Sequence, residues 1–234
     1  MPVITFSSPK GGAGKTTAAC ILASVLAERG TTVTVIDADP NQNVVDWAAL
    51  PGLPASLTTI GTVTEETILD RIEEASASSA FVIVDLEGTA SLMASYAISM
   101  SDLVVIPVQG SQLDAKQAAR QMGLIRAQER ASRRKIPFAV LFTRTNPAIL
   151  PKTQRHIEQS FEDKTIPVFK TKLSDREAYR AMFSYGGTLL GLADKKVSNL
   201  AAAVNNALEY TMEVIERLRE ARAAAVSASA QEVA

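Results

Sequence analysis

Short apolar runs recur along this chain, separated by longer stretches with helical periodicity. The first run, Val-Ile-Thr-Phe at 3–6, is β-branched and apolar and reads as a buried strand. Runs at 32–36, 57–60, 81–85, 102–108, 136–142 and 166–169 read the same way. The last carries Pro167, which withholds an N–H from a ladder and so suits a sheet edge. Between the runs, Ile21, Leu22, Val25 and Leu26 repeat at helical spacing over 18–28, with Gly30 as the stop. Further helices are predicted over 44–50 with Trp47 turned inward, over 64–75 capped by Thr64, and over 114–132 and 152–161. Another follows over 175–182, capped by Ser174 and ended by Gly186-Gly187. The final pattern, 197–223, carries Leu200, Val204, Leu208, Met212, Ile215 and Leu218 along one stripe that reads as core packing. The small, polar residues 224–234 are expected to be disordered. Strands alternating with helices imply an α/β fold over residues 1–223. Its sheet is doubly wound and mostly parallel, with helices on both faces and a ligand crevice at the strands' carboxyl ends.

The stretch between the first strand and the first helix adds chemistry to this frame. It reads Ser8-Pro9-Lys10-Gly11-Gly12-Ala13-Gly14-Lys15-Thr16-Thr17. Glycines let a backbone curl so that several N–H groups point at one anion, and the helix that follows adds partial positive charge at its N-terminus. Lys15 is placed to reach β- and γ-phosphates, and the Thr16 hydroxyl to hold Mg²⁺. Four apolar residues at 81–84 end in Asp85, the pattern of a strand that delivers a carboxylate to the same cation. The strand at 32–36 runs into Asp37-Ala38-Asp39-Pro40, which puts two more carboxylates beside the crevice.

Pro9 stands where a strict phosphate-binding loop has its first glycine, and Lys10 adds a second lysine at the loop's mouth. This K-G-G-x-G-K-T-T arrangement resembles the deviant Walker A motif of the ParA/MinD family of dimeric ATPases. The chain is most similar to the short, ParF-like plasmid-partition type. The resemblance implies ATP held by Lys10, Gly11, Gly12, Ala13, Gly14, Lys15, Thr16 and Thr17, and Mg²⁺ held by Thr16 and Asp85. It implies a catalytic set of Lys10, Lys15 and Asp39. Lys10 would cross a dimer interface to the other subunit's phosphates, and Asp39 would position the attacking water. It places Thr143 and Arg144 beside the adenine. It further implies an ATP-dependent homodimer that binds DNA without sequence preference. A small DNA-binding or cargo adaptor protein would stimulate slow hydrolysis. The chain departs from the family's usual pattern at Asn41, which intervenes before Gln42; at Leu86-Glu87-Gly88, where many relatives have prolines; and at Gln109-Gly110. Glu87 is a competing candidate for the base.

Composition narrows the alternatives. With 47% hydrophobic and 21% charged residues, the chain is ordinary globular protein. No apolar run approaches the roughly 20 residues of a membrane span. The single cysteine, Cys20, permits no intrachain disulfide, which suits a reducing cytoplasm, and the resemblance implies association with the nucleoid there. One cysteine also argues against a reductase like the nitrogenase iron protein. The Ala-, Ser- and Val-rich end, without bulky apolar residues and lysines together, argues against a MinD-like membrane-cycling regulator. Asp39 argues against an inert ATP-locked scaffold. A relative acting in DNA transfer at a specific DNA site stays open. The net charge of −1 hides an asymmetry: residues 1–110 hold 4 Lys/Arg against 12 Asp/Glu, and residues 116–196 hold 17 against 7. A basic second half fits a nucleic-acid partner. Lys152, Arg155, Lys170, Lys172, Arg176, Arg180, Lys195 and Lys196 are the candidate DNA contacts.

Overall fold

The computed structural model describes residues 1–89 and 91–232. Among these, seven parallel strands form one sheet in the order β3-β2-β4-β1-β5-β6-β7. They are β1 (Val3–Phe6), β2 (Val33–Ala38), β3 (Leu57–Ile60), β4 (Phe81–Leu86), β5 (Leu103–Val108), β6 (Phe138–Thr145) and β7 (Leu173–Ser174). The helices are α1 (Lys15–Glu28), α2 (Asn43–Ala49), α3 (Ile68–Ser78), α4 (Leu92–Ser99), α5 (Gln112–Ser132), α6 (Lys152–Asp163), α7 (Glu177–Tyr185) and α8 (Leu200–Glu232). The mostly parallel, doubly wound expectation is met, and the strands described here are all parallel.

The apolar runs are continuous because both sheet faces are buried. Ile4 and Phe6 pack with α1, α2, α7 and α8 on one side, while Val3, Val82 and Val84 pack with α3 and α4 on the other. Val104, Ile106, Val140 and Phe142 meet α5 and α6 on that second side. Trp47 is buried, and its indole N–H donates to the Gly187 carbonyl at 3.1 Å. Helix α1 closes as its sequence foretold. Gly30 takes φ 77°, its N–H donates to the Ala27 carbonyl, and the Thr31 N–H donates to the Leu26 carbonyl. That pairing is a Schellman motif, which needs the left-handed conformation glycine adopts freely.

β1 lies between β4 and β5, and the chain leaves β1 for one sheet face and β4 for the other. The connections after β1 and β4 therefore diverge and leave a crevice at the strands' carboxyl ends.

Several expected boundaries move. Helix α4 follows Ser91, whose hydroxyl accepts from the Ala94 N–H at 3.1 Å. It shows no amphipathic period because neighbouring helices and the sheet cover much of it. Thr64 does not cap α3; it starts a turn whose carbonyl accepts from the Thr67 and Ile68 N–H groups, and the helix begins at Ile68. The run 166–169 makes only a bridge from Val168 to Val140, and β7 forms instead at Leu173–Ser174. Ser174 is thus a strand residue, and α7 starts after Arg176. The closing helix does not end at 223: α8 continues to Glu232, where disorder was expected. Alanine is the best helix former, so an Ala-rich segment extends a helix without needing an apolar stripe. Residues 233 and 234 lie outside the described residues. Among the described residues no helix is long and apolar enough to cross a membrane.

Candidate functional site

The loop from Ser8 to Gly14 joins β1 to α1 across the crevice. Gly14 precedes the helix at φ 92°, and a Cβ there would stand 3.3 Å from the Thr143 side chain. Only glycine meets both demands. No side chain caps α1, so the N–H groups of its first turn are open to an anion. Lys15 opens the helix and is buried. The loop is braced from outside. The Gln109 side-chain amide donates to the Gly12 carbonyl at 2.9 Å, and the Thr143 hydroxyl donates to the Ala13 carbonyl at 2.7 Å. Gly88, from the connection after β4, lies so close that a Cβ would sit 3.0 Å from the Gly11 nitrogen.

Asp85, the penultimate residue of β4, lies beside this loop, in register with Asp37 of β2. The Thr16 hydroxyl donates to Asp85 Oδ2 at 2.6 Å, while Asp85 Oδ1 is buried and has no partner among the described residues. Burial pushes the Asp85 carboxyl up to about 7, against the pull of Lys15 and the Thr16 hydroxyl. A buried, half-paired carboxylate next to a hydroxyl is the donor set a hard divalent cation takes, so the residues fit Mg²⁺. Thr16 and Asp85 would hold it, and its charge there would neutralise phosphate oxygens.

Asp37 is fully buried. Its Oδ2 accepts from the Val44 and Val45 N–H groups at 2.8 and 3.1 Å, and its Oδ1 from the Asp39 N–H at 3.2 Å. Burial raises its pKa, and those three backbone donors oppose the rise. Asp37 thereby fixes both ends of the 39–42 connection. Within it, Asp39 Oδ1 accepts from the Asn41 backbone N–H and side-chain amide at 2.9 and 2.8 Å, an Asx turn. The Gln42 amide donates to the Asp39 carbonyl at 3.1 Å, and its Oε1 accepts from the Thr62 N–H at 3.1 Å. Asn41 and Gln42, which depart from the usual family spacing, hold the Asp39 loop.

Lys10 is tied within its own chain. Its ammonium meets Asp114 Oδ1 at 2.8 Å, with the lysine side chain 31% exposed and the aspartate 3%. Asp114 Oδ2 in turn accepts from the Ser111 hydroxyl, and the Asp114 N–H donates back to that hydroxyl at 3.3 Å, so Ser111 is the N-cap that starts α5.

The structure gathers Lys10 to Thr17, Asp39 and Asp85 around one crevice. Thr143, expected beside the adenine, is buried with its hydroxyl committed to the Ala13 carbonyl, so it supports the loop. Arg144 is exposed, at φ 51°. Of the eight candidate DNA contacts, Lys172 pairs with Glu158 at 2.6 Å. Arg180 pairs with Asp175 and Glu177, and Lys195 sits 5.8 Å over the Tyr185 ring. Arg176 is half-buried beside Tyr179. Lys152, Arg155, Lys170 and Lys196 are exposed. Part of this set is thus engaged within the chain, because the late helices carry their own carboxylates. Asp37 was expected beside the crevice but without its role as the loop's anchor, and Gln109 and Asp114 were not anticipated as site residues. Asp114 had one local signal, the Ser-x-x-Asp spacing of a helix start.

Comparison with known proteins agrees with this geometry. The model of the family described as VirC1 protein matches residues 1–228. The Protein ParA of Rhizobium radiobacter is 41% identical over 221 residues, covering 94% of this chain and 99% of that protein. Among solved structures, the MinD cell division protein of Aquifex aeolicus superposes with a TM-score of 0.69 at 18% identity, over 92% of this chain and 98% of its own. A plasmid partition protein of Borrelia burgdorferi bound to AMPPNP superposes with a TM-score of 0.64 at 18% identity, over 91% and 98%. A glycine loop with two lysines, a Thr16–Asp85 pair beside it and these matches lead to one assignment: the chain belongs to the VirC1 protein family, within the ParA/MinD-type P-loop ATPases.

Proposed function

We propose that this protein is an ATPase that closes two copies around two ATP molecules and, with a partner protein, partitions or positions a DNA or protein cargo. The observation that carries the reading is Lys10. Lys15 already stands inside the loop to serve this chain's own phosphates, whereas Lys10 lies at the mouth with a third of its side chain in solvent. In the free chain Asp114 holds its ammonium at 2.8 Å, and once released from that pair it is placed to meet a phosphate held by a second copy. Support comes from the surroundings: Leu92, Leu113 and Ile149 are 50%, 58% and 63% exposed. They stand at or just before the starts of α4, α5 and α6, so in an all-parallel sheet they ring the crevice side, where a second copy would cover them. The relative named ParA and the neighbour named a plasmid partition protein support the cargo-moving role.

In this reading the α1 N-terminus and Lys15 bind the phosphates, and Thr16 with Asp85 holds Mg²⁺. Asp39 leaves its Asx turn to orient a water in line with the γ-phosphate. Asp37 keeps that loop anchored while it moves. The dimer then binds DNA without sequence preference, and an adaptor accelerates slow turnover.

Light scattering with Mg²⁺ and ATP tests the reading. Wild type should shift from one copy to two on adding ATP. Lys10→Ala should bind ATP and stay single, and Lys15→Ala should lose nucleotide binding. A Lys10→Ala protein that dimerises like wild type, or a wild type that dimerises equally without nucleotide, would end the sandwich reading.

A further inference from the structure

One dense run of cations without ion-pair partners among the described residues lies on α5, apart from the late helices. Residues 116–135 hold seven Lys/Arg and one acidic residue, Glu129. At 3.6 residues per turn, Lys116, Arg120, Gly123, Arg126 and Arg130 fall within about a third of the helix circumference. All five are exposed, while Asp114, Ala118, Gln121, Met122 and Ile125 form the buried face opposite. Lys116, Arg120, Arg126, Arg130 and Arg133 have no ion-pair partner among the described residues. The stripe ends in a shallow concavity of about 350 Å³ lined by Arg126, Glu129, Arg130, Arg133, Arg134 and Lys135. Arg134 fixes that turn by donating to the Ser99 and Ser101 carbonyls at 2.8 and 2.7 Å. Glu129 is occupied by the Ile136 N–H at 3.0 Å and stands 3.9 Å from Lys135.

Gly123 is the second, independent observation. It sits mid-helix, where glycine costs about 1 kcal/mol against alanine. A Cβ there would meet nothing within 4 Å, so packing inside this chain does not require it. Exposed alanine at 119 and half-buried alanine at 127 flank it. Small residues between arginines leave room for a partner's backbone to come close.

We infer that the exposed face of α5, from Lys116 to the Arg133 turn, is a binding surface for the phosphate backbone of duplex nucleic acid. It lies within one chain and works without nucleotide or dimer. The inference rests on the DNA-binding part of the proposed function and moves its face from the late helices to α5. Helix-end electrostatics do not account for the stripe. A helix C-terminus carries about half a charge, and Lys116 and Arg120 lie in the helix's first half, where the dipole disfavours cations. A lipid surface is a poorer fit, because membrane-surface helices pair cations with bulky apolar residues, and here alanine and glycine stand between them. Arginine's planar fork suits phosphate oxygens. From Lys116 to Arg133 the stripe runs about 25 Å, long enough for several phosphates of one duplex.

The test is fluorescence anisotropy with a random-sequence duplex and nucleotide-free protein, from about 50 to 200 mM salt. Five phosphate contacts predict a log–log slope of about −4 to −5 for wild type. Arg126→Glu with Arg130→Glu should weaken binding tenfold or more and flatten the slope by about 2. Arg176→Glu with Arg180→Glu should bind like wild type. Gly123→Gln should raise the melting temperature yet weaken binding, a combination a purely structural glycine does not produce. Melting curves and ATP titrations establish that each variant is folded. If wild type binds but the α5 reversal binds equally well, the α5 surface is wrong and the DNA reading stands. Binding only with ATP, or to anionic vesicles and not to duplex, overturns the inference too. If wild type binds no duplex with or without ATP at low salt, the DNA reading itself fails.

Discussion

Removing Lys10 should destabilise the free chain, a result not expected of a residue kept only for a partner subunit. Lys10 is the charged partner of Asp114, whose side chain is 3% exposed and whose other oxygen meets only the Ser111 hydroxyl. Lys10→Ala leaves that buried carboxylate without a cation. Breaking a fully buried pair from one side costs about 3–5 kcal/mol, and an exposed pair contributes about 0–1. With the lysine side chain 31% exposed, water can reach the stranded oxygen, and about 1–2 kcal/mol is the expected loss. For a domain of this size that is a fall in Tm of about 2–8 °C. Asp114→Asn removes the charge, so in its background Lys10→Ala should cost little. Urea denaturation of the four nucleotide-free proteins gives the coupling energy, expected at about 1–2 kcal/mol. Additivity within about 0.5 kcal/mol would refute the argument. The same pair must part before Lys10 can reach a second copy. Two such pairs part in each dimer, so Asp114→Asn should dimerise at a lower protein concentration, about a hundredfold for each 1.4 kcal/mol of coupling. Unchanged dimerisation would mean that the contact survives in the dimer.

Three further outcomes are expected. The folded chain keeps a proton on Asp85 up to about pH 7, and the unfolded chain releases it near pH 4, so this group lowers stability as pH rises through that window. In EDTA, Asp85→Asn should melt higher than wild type at pH 8 and by a shrinking margin toward pH 5; a margin independent of pH would remove burial as the cause. Gly88→Ala forces a Cβ to 3.0 Å from the Gly11 nitrogen and 3.3 Å from its Cα. It should weaken nucleotide binding by separating the two loops, with about 1–3 kcal/mol of strain, and an unaltered Kd by calorimetry would show that they part freely. Gly61→Ala places a Cβ 2.3 Å from Gln42 Oε1 and 2.6 Å from a Val45 methyl, so Gln42 must release Thr62. Turnover should fall with nucleotide affinity retained, because the 39–42 connection loosens while the phosphate cradle does not; equal loss of both would place the damage elsewhere.

What could be read from the sequence follows the range of the forces involved. The glycine loop, Asp85 at a strand end and Asp39 before Pro40 are local patterns, since each depends on neighbours within ten residues. The sheet's alternation was equally legible because burial on both faces leaves unbroken apolar runs. Lys10 and Asp114 stand 104 positions apart, and Gln109 and Gly12 stand 97 apart, so no local window joins them. Helix α4 escaped because an evenly apolar segment such as Leu-Met-Ala-Ser-Tyr-Ala-Ile-Ser carries no period. The pairing of late-helix cations was hidden for a related reason: counting charges along the chain does not reveal that Lys172 folds onto Glu158 or Arg180 onto Asp175.

The outside braces on the glycine loop have a kinetic consequence. The Gly12 and Ala13 carbonyls are claimed by Gln109 and Thr143, and the Gly14 carbonyl by the Ala18 N–H at 3.0 Å. The cradle therefore keeps its shape with its N–H groups turned inward before any ligand arrives. Ordering a loose loop would consume about 1–2 kcal/mol per residue at the moment of capture. Here that ordering is completed when the protein folds, once per molecule. Each later capture begins from a finished mould, so arrival should be governed by collision and departure by the strength of the contacts. The Asp39 connection is held differently, by its own Asx turn and by Asp37, so any rearrangement made after capture falls to the hand that closes and not to the cup that receives.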